Sequence, residues 1–324
     1  MAFPTETVWT FGRLLQWTTR FLTERGAETP RLDAEVLLAH AQGCRRIDLY
    51  TRFDEPASEE VRDRFRQLVR QRAEGCPVAY LVGRKEFFSL EFEVDPAVLI
   101  PRPSTETLVA ESINRLRAWA EPTILDVGTG SGNIAVTLAK YLPTARITAV
   151  DISAAALGLA QRNAERHAVA DRITFLHGDL FTPLPCHASF DAIVSNPPYI
   201  ADEELPHLPI GVRQYEPEIA YRGGPGGLTV VERLIRQAAD FLRPSGYLLL
   251  EIGAAQEQPV RRLIESLSPL HLEPTIYDTD RHPRVLVARR LSPAEAARLG
   301  KFHEQAISQL ATVNSPQDRE AEAL

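Results

Sequence analysis

A chain of 324 residues in which 44% are hydrophobic and 24% charged carries enough apolar material for about two domains at roughly 150 residues each. That excludes a wholly disordered protein. Its 36 cations against 43 acids leave a net charge of −7, which argues against a general nucleic-acid binder with its basic patch and high pI.

In chain order, residues 1–82 read as a helical domain. Val8, Phe11, Leu14, Leu15, Trp17, Thr18, Phe21 and Leu22 recur at three- and four-residue spacing, as do Leu32, Val36, Leu37 and Leu38, and then Phe65, Leu68 and Val69. Pro30 suits a helix start, and Gly26 and Gly43 suit helix ends. Residues 1–85 hold 14 cations and 12 acids, so the other 239 residues carry −9. The first unit is therefore mildly basic, and almost all of its cations are Arg.

Residues 83–101 change character. Phe87, Phe88, Leu90, Phe92 and Val94 mostly alternate with polar residues, which predicts a β-hairpin linker. From 102 to 290 the pattern is α/β. Strands are predicted at 123–127, 146–150, 172–177, 190–195, 246–252, 272–278 and 284–289. Helices are predicted at 133–141, after Ser153, and near 228–242 and 256–267. Alternating strands and helices imply a mainly parallel sheet covered on both faces. Residues 291–324 are rich in Ala, Glu and Gln; helical pattern runs to about Leu310, and a disordered tail is expected beyond it.

Cys44, Cys76 and Cys186 lie far apart with no CxxC pair and no nearby histidine cluster. No metal site is expected, and a reducing compartment is. No stretch approaches 18 apolar residues, and no basic start precedes an apolar run. A soluble cytoplasmic protein without membrane contact is the expectation.

Two motifs carry chemistry. Asp126-Val-Gly128-Thr129-Gly130-Ser131-Gly132-Asn133 joins a predicted strand to a predicted helix. Its glycines permit positive φ and close approach of a ligand, and the open helix end supplies N–H donors. The spacing is G-x-G-x-G, not the G-x-G-x-x-G of dinucleotide folds. Asp151 ends the next strand, 19 residues after Gly132, where an acid can accept from both ribose hydroxyls. An acid before the loop and no second half of a pyrophosphate site favour a nucleoside that carries a cation. S-adenosylmethionine is that ligand.

The second motif, Asn196-Pro197-Pro198-Tyr199, follows the strand 190–195, at the carboxyl end where open α/β sheets bind ligands. The prolines remove N–H donors and leave carbonyl acceptors. The Asn196 oxygen and the Pro197 carbonyl could together hold an –NH₂ group, with Tyr199 stacked on a flat amide or base. A strand-capping proline turn is the plainer reading of the same residues.

The two motifs together resemble the amino-methyltransferases, which share (D/N/S)-PP-(Y/F/W). Four further segments resemble the bacterial release factor glutamine methyltransferases, the HemK-type family. They are Ala97-Val-Leu-Ile-Pro-Arg-Pro-Ser-Thr-Glu106, Glu216-Pro217 through Gly227-Leu228, Glu251-Ile-Gly253 with Gln256, and Asp280-Arg281 with Arg284. The resemblance spans residues 8 to 290. Ser104 stands where that family usually has Asp, Tyr221 where it has Leu, and Gly226 where Asp is common; Ser104 can still cap a helix.

The resemblance implies a seven-stranded Rossmann-like class I methyltransferase domain, using S-adenosylmethionine and releasing S-adenosylhomocysteine. It implies Gly128 to Gly132 around the methionine part, Asp151 on the ribose, Asp179 and Leu180 beside the adenine, and Asn196 to Tyr199 on a substrate glutamine. Asp126 joins the cofactor set, and Arg102 and Glu106 are candidates for the same cleft. The implied partner is a peptide chain release factor, methylated at the glutamine of its Gly-Gly-Gln motif by a monomeric enzyme that does not touch nucleic acid directly. Rival readings are a glutamine methyltransferase of a ribosomal protein, an adenine-N6 nucleic-acid methyltransferase and a non-catalytic adaptor. An adenine enzyme would need a basic groove, against which the −9 of residues 86–324 counts.

Overall fold

The computed structural model describes residues 8–295; the expected helical run to Leu310 and the disordered end fall, from 296 on, outside the described residues. Five helices open the chain: α1 (Phe11–Thr23), α2 (Pro30–Gln42), α3 (Asp48–Thr51), α4 (Glu59–Ala73) and α5 (Val78–Val82). Thr10 caps α1 by accepting the Arg13 N–H at 3.3 Å. Ser58 caps α4 in the same way through the Val61 N–H at 3.4 Å. Each cap satisfies a donor that the helix itself cannot. Phe11, Leu15, Leu37, Leu38, Leu49 and Phe65 are buried together, each contributing about 1.5–3 kcal/mol through lost water contact.

Strands β1 (Arg84–Phe87) and β2 (Leu90–Glu93) pair antiparallel. Phe88 and Ser89 between them have φ of 51° and 60°, the left-handed pair of a type I′ turn that normally favours Asn and Gly. The strain is held from outside, because the Phe88 N–H donates to the Glu106 carboxylate at 2.8 Å.

The rest is one layered α/β unit. Helix α6 (Thr105–Leu116) precedes β3 (Thr123–Val127), α7 (Asn133–Tyr141), β4 (Arg146–Asp151), α8 (Ala154–Arg166) and β5 (Ile173–His177). There follow β6 (Phe190–Ser195), β7 (Ile200–Ala201), α9 (Ile210–Tyr215), β8 (Arg222–Gly224), α10 (Thr229–Phe241), β9 (Leu242–Glu251), α11 (Glu257–Leu267), β10 (His271–Leu272), β11 (Ile276–Tyr277) and β12 (Pro283–Arg289). The main sheet runs β10-β12-β9-β6-β3-β4-β5, with β11 also on β12. Pairs from β9 to β5 are parallel, and β12 is antiparallel to its neighbours. Separate apolar clusters cover its two faces. The strand predicted at 272–278 is two short strands, because Pro274 has no N–H to continue the ladder.

Asn163 of α8 ties three parts together. Its Oδ1 accepts the Glu93 N–H at 2.8 Å, and its Nδ2 donates to the Glu93 carbonyl at 3.0 Å and to the Ser131 carbonyl at 2.9 Å. The hairpin is thereby fixed against the Gly-rich loop. Among the described residues, no helix is long and apolar enough to cross a membrane.

Candidate active site

The loop after β3 turns through Gly128, Gly130 and Gly132, with φ of 75°, 54° and 78°. A Cβ on Gly128 or Gly130 would meet nothing within 4 Å. These two are glycine for their left-handed backbone, and they leave the loop bare toward the cleft. Gly132 faces inward instead, where a Cβ would lie 3.0 Å from that of Ala160.

Asp126 is fully buried beneath the loop. Its Oδ2 accepts the Thr129 hydroxyl at 2.7 Å and the Ala135 N–H at 3.2 Å, while Oδ1 has no hydrogen-bond partner. Burial pushes its carboxyl up to about 7. Asp126 shapes the loop from below and is not among the cleft-lining residues. Asp151, at the end of β4, does line the cleft. Its oxygens accept the Gly130 N–H at 2.8 Å and the Ser153 N–H at 2.9 Å. Burial raises its pKa, and those N–H donors oppose the rise.

The cleft holds about 480 Å³, within the range of small-molecule sites. It brings together Gly128, Thr129, Gly130, Ser131, Asp151, Asp179, Leu180, Asn196, Pro198 and Arg102. Asp179 Oδ2 meets the Arg233 guanidinium at 2.5 Å, and Leu180 takes a φ of 51°. A second cleft of about 780 Å³ lies between the helical unit and the sheet unit, with Arg25, Arg72, Lys85, Pro197, Tyr199 and Tyr221 in its wall. The two clefts share Leu99, Arg102, Asn196, Pro198 and Ala220, so they meet at the Asn-Pro-Pro-Tyr turn.

Besides Asp126, expected in the cofactor set but placed beneath the loop, Glu106 and Ser104 also depart from the sequence expectation. Glu106 lines neither cleft and holds the hairpin turn instead. Ser104 precedes α6 but makes no cap bond; its hydroxyl donates to Glu251 Oε1 at 3.1 Å. With αR backbone at Ser104, the side chain is turned toward that buried carboxylate rather than toward the helix N–H groups.

Other residues around the turn carried no assigned role in the sequence. Gln256 Nε2 donates to the Tyr199 carbonyl at 2.9 Å, and a Cβ on Gly227 would lie 2.1 Å from that oxygen. These contacts explain physically why Gly227 and Gln256 fall in the family-like segments. Thr105, buried at the start of α6, accepts Asn196 Nδ2 at 3.1 Å. Burial pushes the Tyr199 hydroxyl up to about 12. Glu251 is also raised by burial, against the pull of the Thr105 and Ser104 hydroxyls and of Arg284. His167 and His177 each bond a backbone carbonyl.

The site's chemistry fits a nucleoside with a cationic sulfur arm. A bare glycine loop at a helix start, a carboxylate on the next strand and an apolar wall including Ile134, Ile152 and Leu180 lie around one cavity.

Comparison with known proteins gives the family. Residues 13–83 match the model of the PrmC N-terminal domain, and residues 104–208 that of the methyltransferase small domain. The release factor glutamine methyltransferase of Rhodopirellula baltica is 48% identical over 288 residues, covering 87% of this chain and 96% of its own. That of Moorella thermoacetica is 46% identical, covering 84% and 95%. That of Geobacter sulfurreducens is 45% identical, covering 78% and 87%. With two domains matched in order and near half of all residues shared along almost the full length of such relatives, the chain belongs to the release factor glutamine methyltransferase family.

Proposed function

We infer that this enzyme transfers a methyl group from S-adenosylmethionine to the side-chain amide nitrogen of the glutamine in the Gly-Gly-Gln loop of peptide chain release factors. The observation that carries the reading is the meeting of two clefts at Asn196 and Pro198. One cleft has the features of a cofactor site. The other is open and bordered by the helical unit, as a protein loop would require.

S-adenosylmethionine, when bound, supplies an electrophilic methyl group on a sulfonium. Gly128 to Ser131 and Asp151 hold it, with Asp179 and Leu180 at the base. The glutamine nitrogen is a poor nucleophile because its lone pair is delocalised into the carbonyl. Asn196 Oδ1 and the Pro197 carbonyl accept its two N–H bonds, orient the nitrogen and stabilise the positive charge that develops on it; the methylated nitrogen then releases one of its two protons to water, leaving the neutral N-methyl amide. Such positioning can supply up to about 7–11 kcal/mol. The helical unit, residues 1–82, provides the second contact that a short loop cannot, since stable interfaces bury roughly 1,200–2,000 Å². The enzyme works as a monomer in the cytoplasm, beside the translation machinery.

The test is methyl transfer from labelled S-adenosylmethionine to purified release factor, followed by peptide mass mapping. One methyl on the Gly-Gly-Gln glutamine, absent from the factor's Gln→Ala variant, is the expected result. Equal labelling of that variant, or labelling only of ribosomal protein or nucleic acid, overturns the assignment.

A further inference from the structure

A primary amide presents an oxygen at one end and an –NH₂ at the other, and the two ends have nearly the same shape. To receive an amide N–H from substrate, Asn196 must turn its oxygen to the cleft. If it turned its –NH₂ there, two donors would face each other.

The strand ends and the start of α6 supply the bias. β6 and β9 are parallel neighbours with Ser195 opposite Leu250, so Asn196 and Glu251 follow side by side. Helix α6 begins over both. Glu251 is wholly buried and its Oε2 has no hydrogen-bond partner. It accepts the Ser104 hydroxyl at 3.1 Å, and the Thr105 and Tyr199 hydroxyls and Arg284 are the other groups that act on it. Thr105 is 2% exposed and accepts Asn196 Nδ2 at 3.1 Å.

A threonine hydroxyl has one hydrogen and two lone pairs. The buried Glu251 carboxylate, with one oxygen unpartnered, is the acceptor open to that hydrogen. A lone pair is then what remains for Asn196, and a lone pair can be met only by the –NH₂ end. The reversed amide would draw the Thr105 hydrogen away from Glu251 and leave a buried acceptor poorer still, which is costly.

We propose that Glu251 and Thr105 form a two-link positioning relay that turns the Asn196 amide oxygen into the cleft and so makes the site selective for a substrate –NH₂. Glu251 lies outside both clefts, while Thr105 borders the cofactor cleft beside Asn196; both are assigned as positioning residues and not as substrate contacts. The proposal rests on the glutamine-methyltransferase reading, and adds to it what fixes the polarity of the substrate grip.

The experiment uses the full-length enzyme with S-adenosylhomocysteine and compares binding of intact release factor with that of its Gln→Glu variant. Glutamate is nearly isosteric with glutamine but offers no –NH₂. The wild-type enzyme should bind the Gln form at least about tenfold more tightly. Thr105→Val keeps the shape and removes the hydroxyl; its preference should fall to about threefold or less, and its kcat at least about tenfold. Because Thr105 borders the cofactor cleft, kcat is read at saturating S-adenosylmethionine. Thr105→Ser should restore both preference and kcat, and Glu251→Gln should weaken both.

A wild-type enzyme that binds the two factors equally overturns the relay, as does a Thr105→Val that keeps full preference. Thr105→Ser behaving like Thr105→Val would show packing rather than hydrogen bonding, and also overturns it. If Thr105→Val does not fold, Glu251→Gln decides: unchanged preference there rejects the relay. Failure of the underlying reading looks different, since the wild-type enzyme would then not methylate the Gln form at all.

Discussion

Glu216 accepts the Arg102 guanidinium at 2.5 Å across 114 residues of chain, with its own side chain only 1% exposed. The other Glu216 oxygen takes the Ile100 N–H at 3.1 Å. One carboxylate thus anchors the segment leading into α6 to the segment after α9. Arg102 reaches both clefts, but its guanidinium is committed to this pair, a different task from the substrate contact expected from sequence.

Arg102→Ala should therefore act on stability first. It leaves a buried carboxylate with a single N–H donor, at a cost of about 2 kcal/mol once the partial exposure of Arg102 is allowed for. Arg102→Ala with Glu216→Gln should cost less than the two single changes added together. Urea unfolding of the four proteins checks this. Additive effects would mean the pair is not coupled.

Asn196→Ala should leave S-adenosylmethionine binding nearly intact and lower kcat about a hundredfold or more, since one positioned acceptor in a preorganised site is worth on the order of 3 kcal/mol. Calorimetry and steady-state kinetics separate the two effects. Wild-type turnover would remove Asn196 from the grip.

Asp151→Ala should weaken the cofactor instead. A charged acceptor on hydroxyls contributes roughly 1.5–3 kcal/mol, so Kd should rise about ten- to a hundredfold. Part of the loss would come through Gly130, whose N–H loses its acceptor. An unchanged Kd measured by titration would exclude Asp151 from the site.

Asp126 gives a pH dependence with a definite sign. Its buried carboxyl titrates at about 7 in the folded protein, above the unfolded value of roughly 3.9. Between those values the native state holds the extra proton, so this group's contribution to stability falls as pH rises through that window. Asp126→Asn removes the titration. The melting temperature of wild type relative to the variant should be highest near pH 4 and should decline toward pH 8. A difference that stays flat or grows with pH would contradict the burial of a titrating acid there.

Much of the architecture is written locally. Pro30, Gly43 and the three-four spacing of α1 and α2 depend on neighbours within a turn or two. The strands Thr123–Val127 and Phe190–Ser195 are short apolar runs that no other element suits. The Gly128–Gly132 loop and the Asn196–Tyr199 turn announced themselves because their backbone demands, positive φ and missing N–H groups, restrict residue type directly.

What tertiary structure decided is where each polar group spends its hydrogen bonds. Asp126 and Asp151 both flank the loop in sequence, yet one lies beneath it and the other opens to the cleft, because strand register and the cover of helix α7 set their depth. Glu106 and Ser104 sit in one family-like segment, and each is taken by a distant partner, the Phe88 N–H and the Glu251 carboxylate. Thr105, Glu251 and Glu216 find their partners some 90 to 150 residues away. Spacing along a chain carries no information about contacts at that range, since hydrogen bonding is settled only when parallel strand ends and helix starts are brought to the same edge of the sheet.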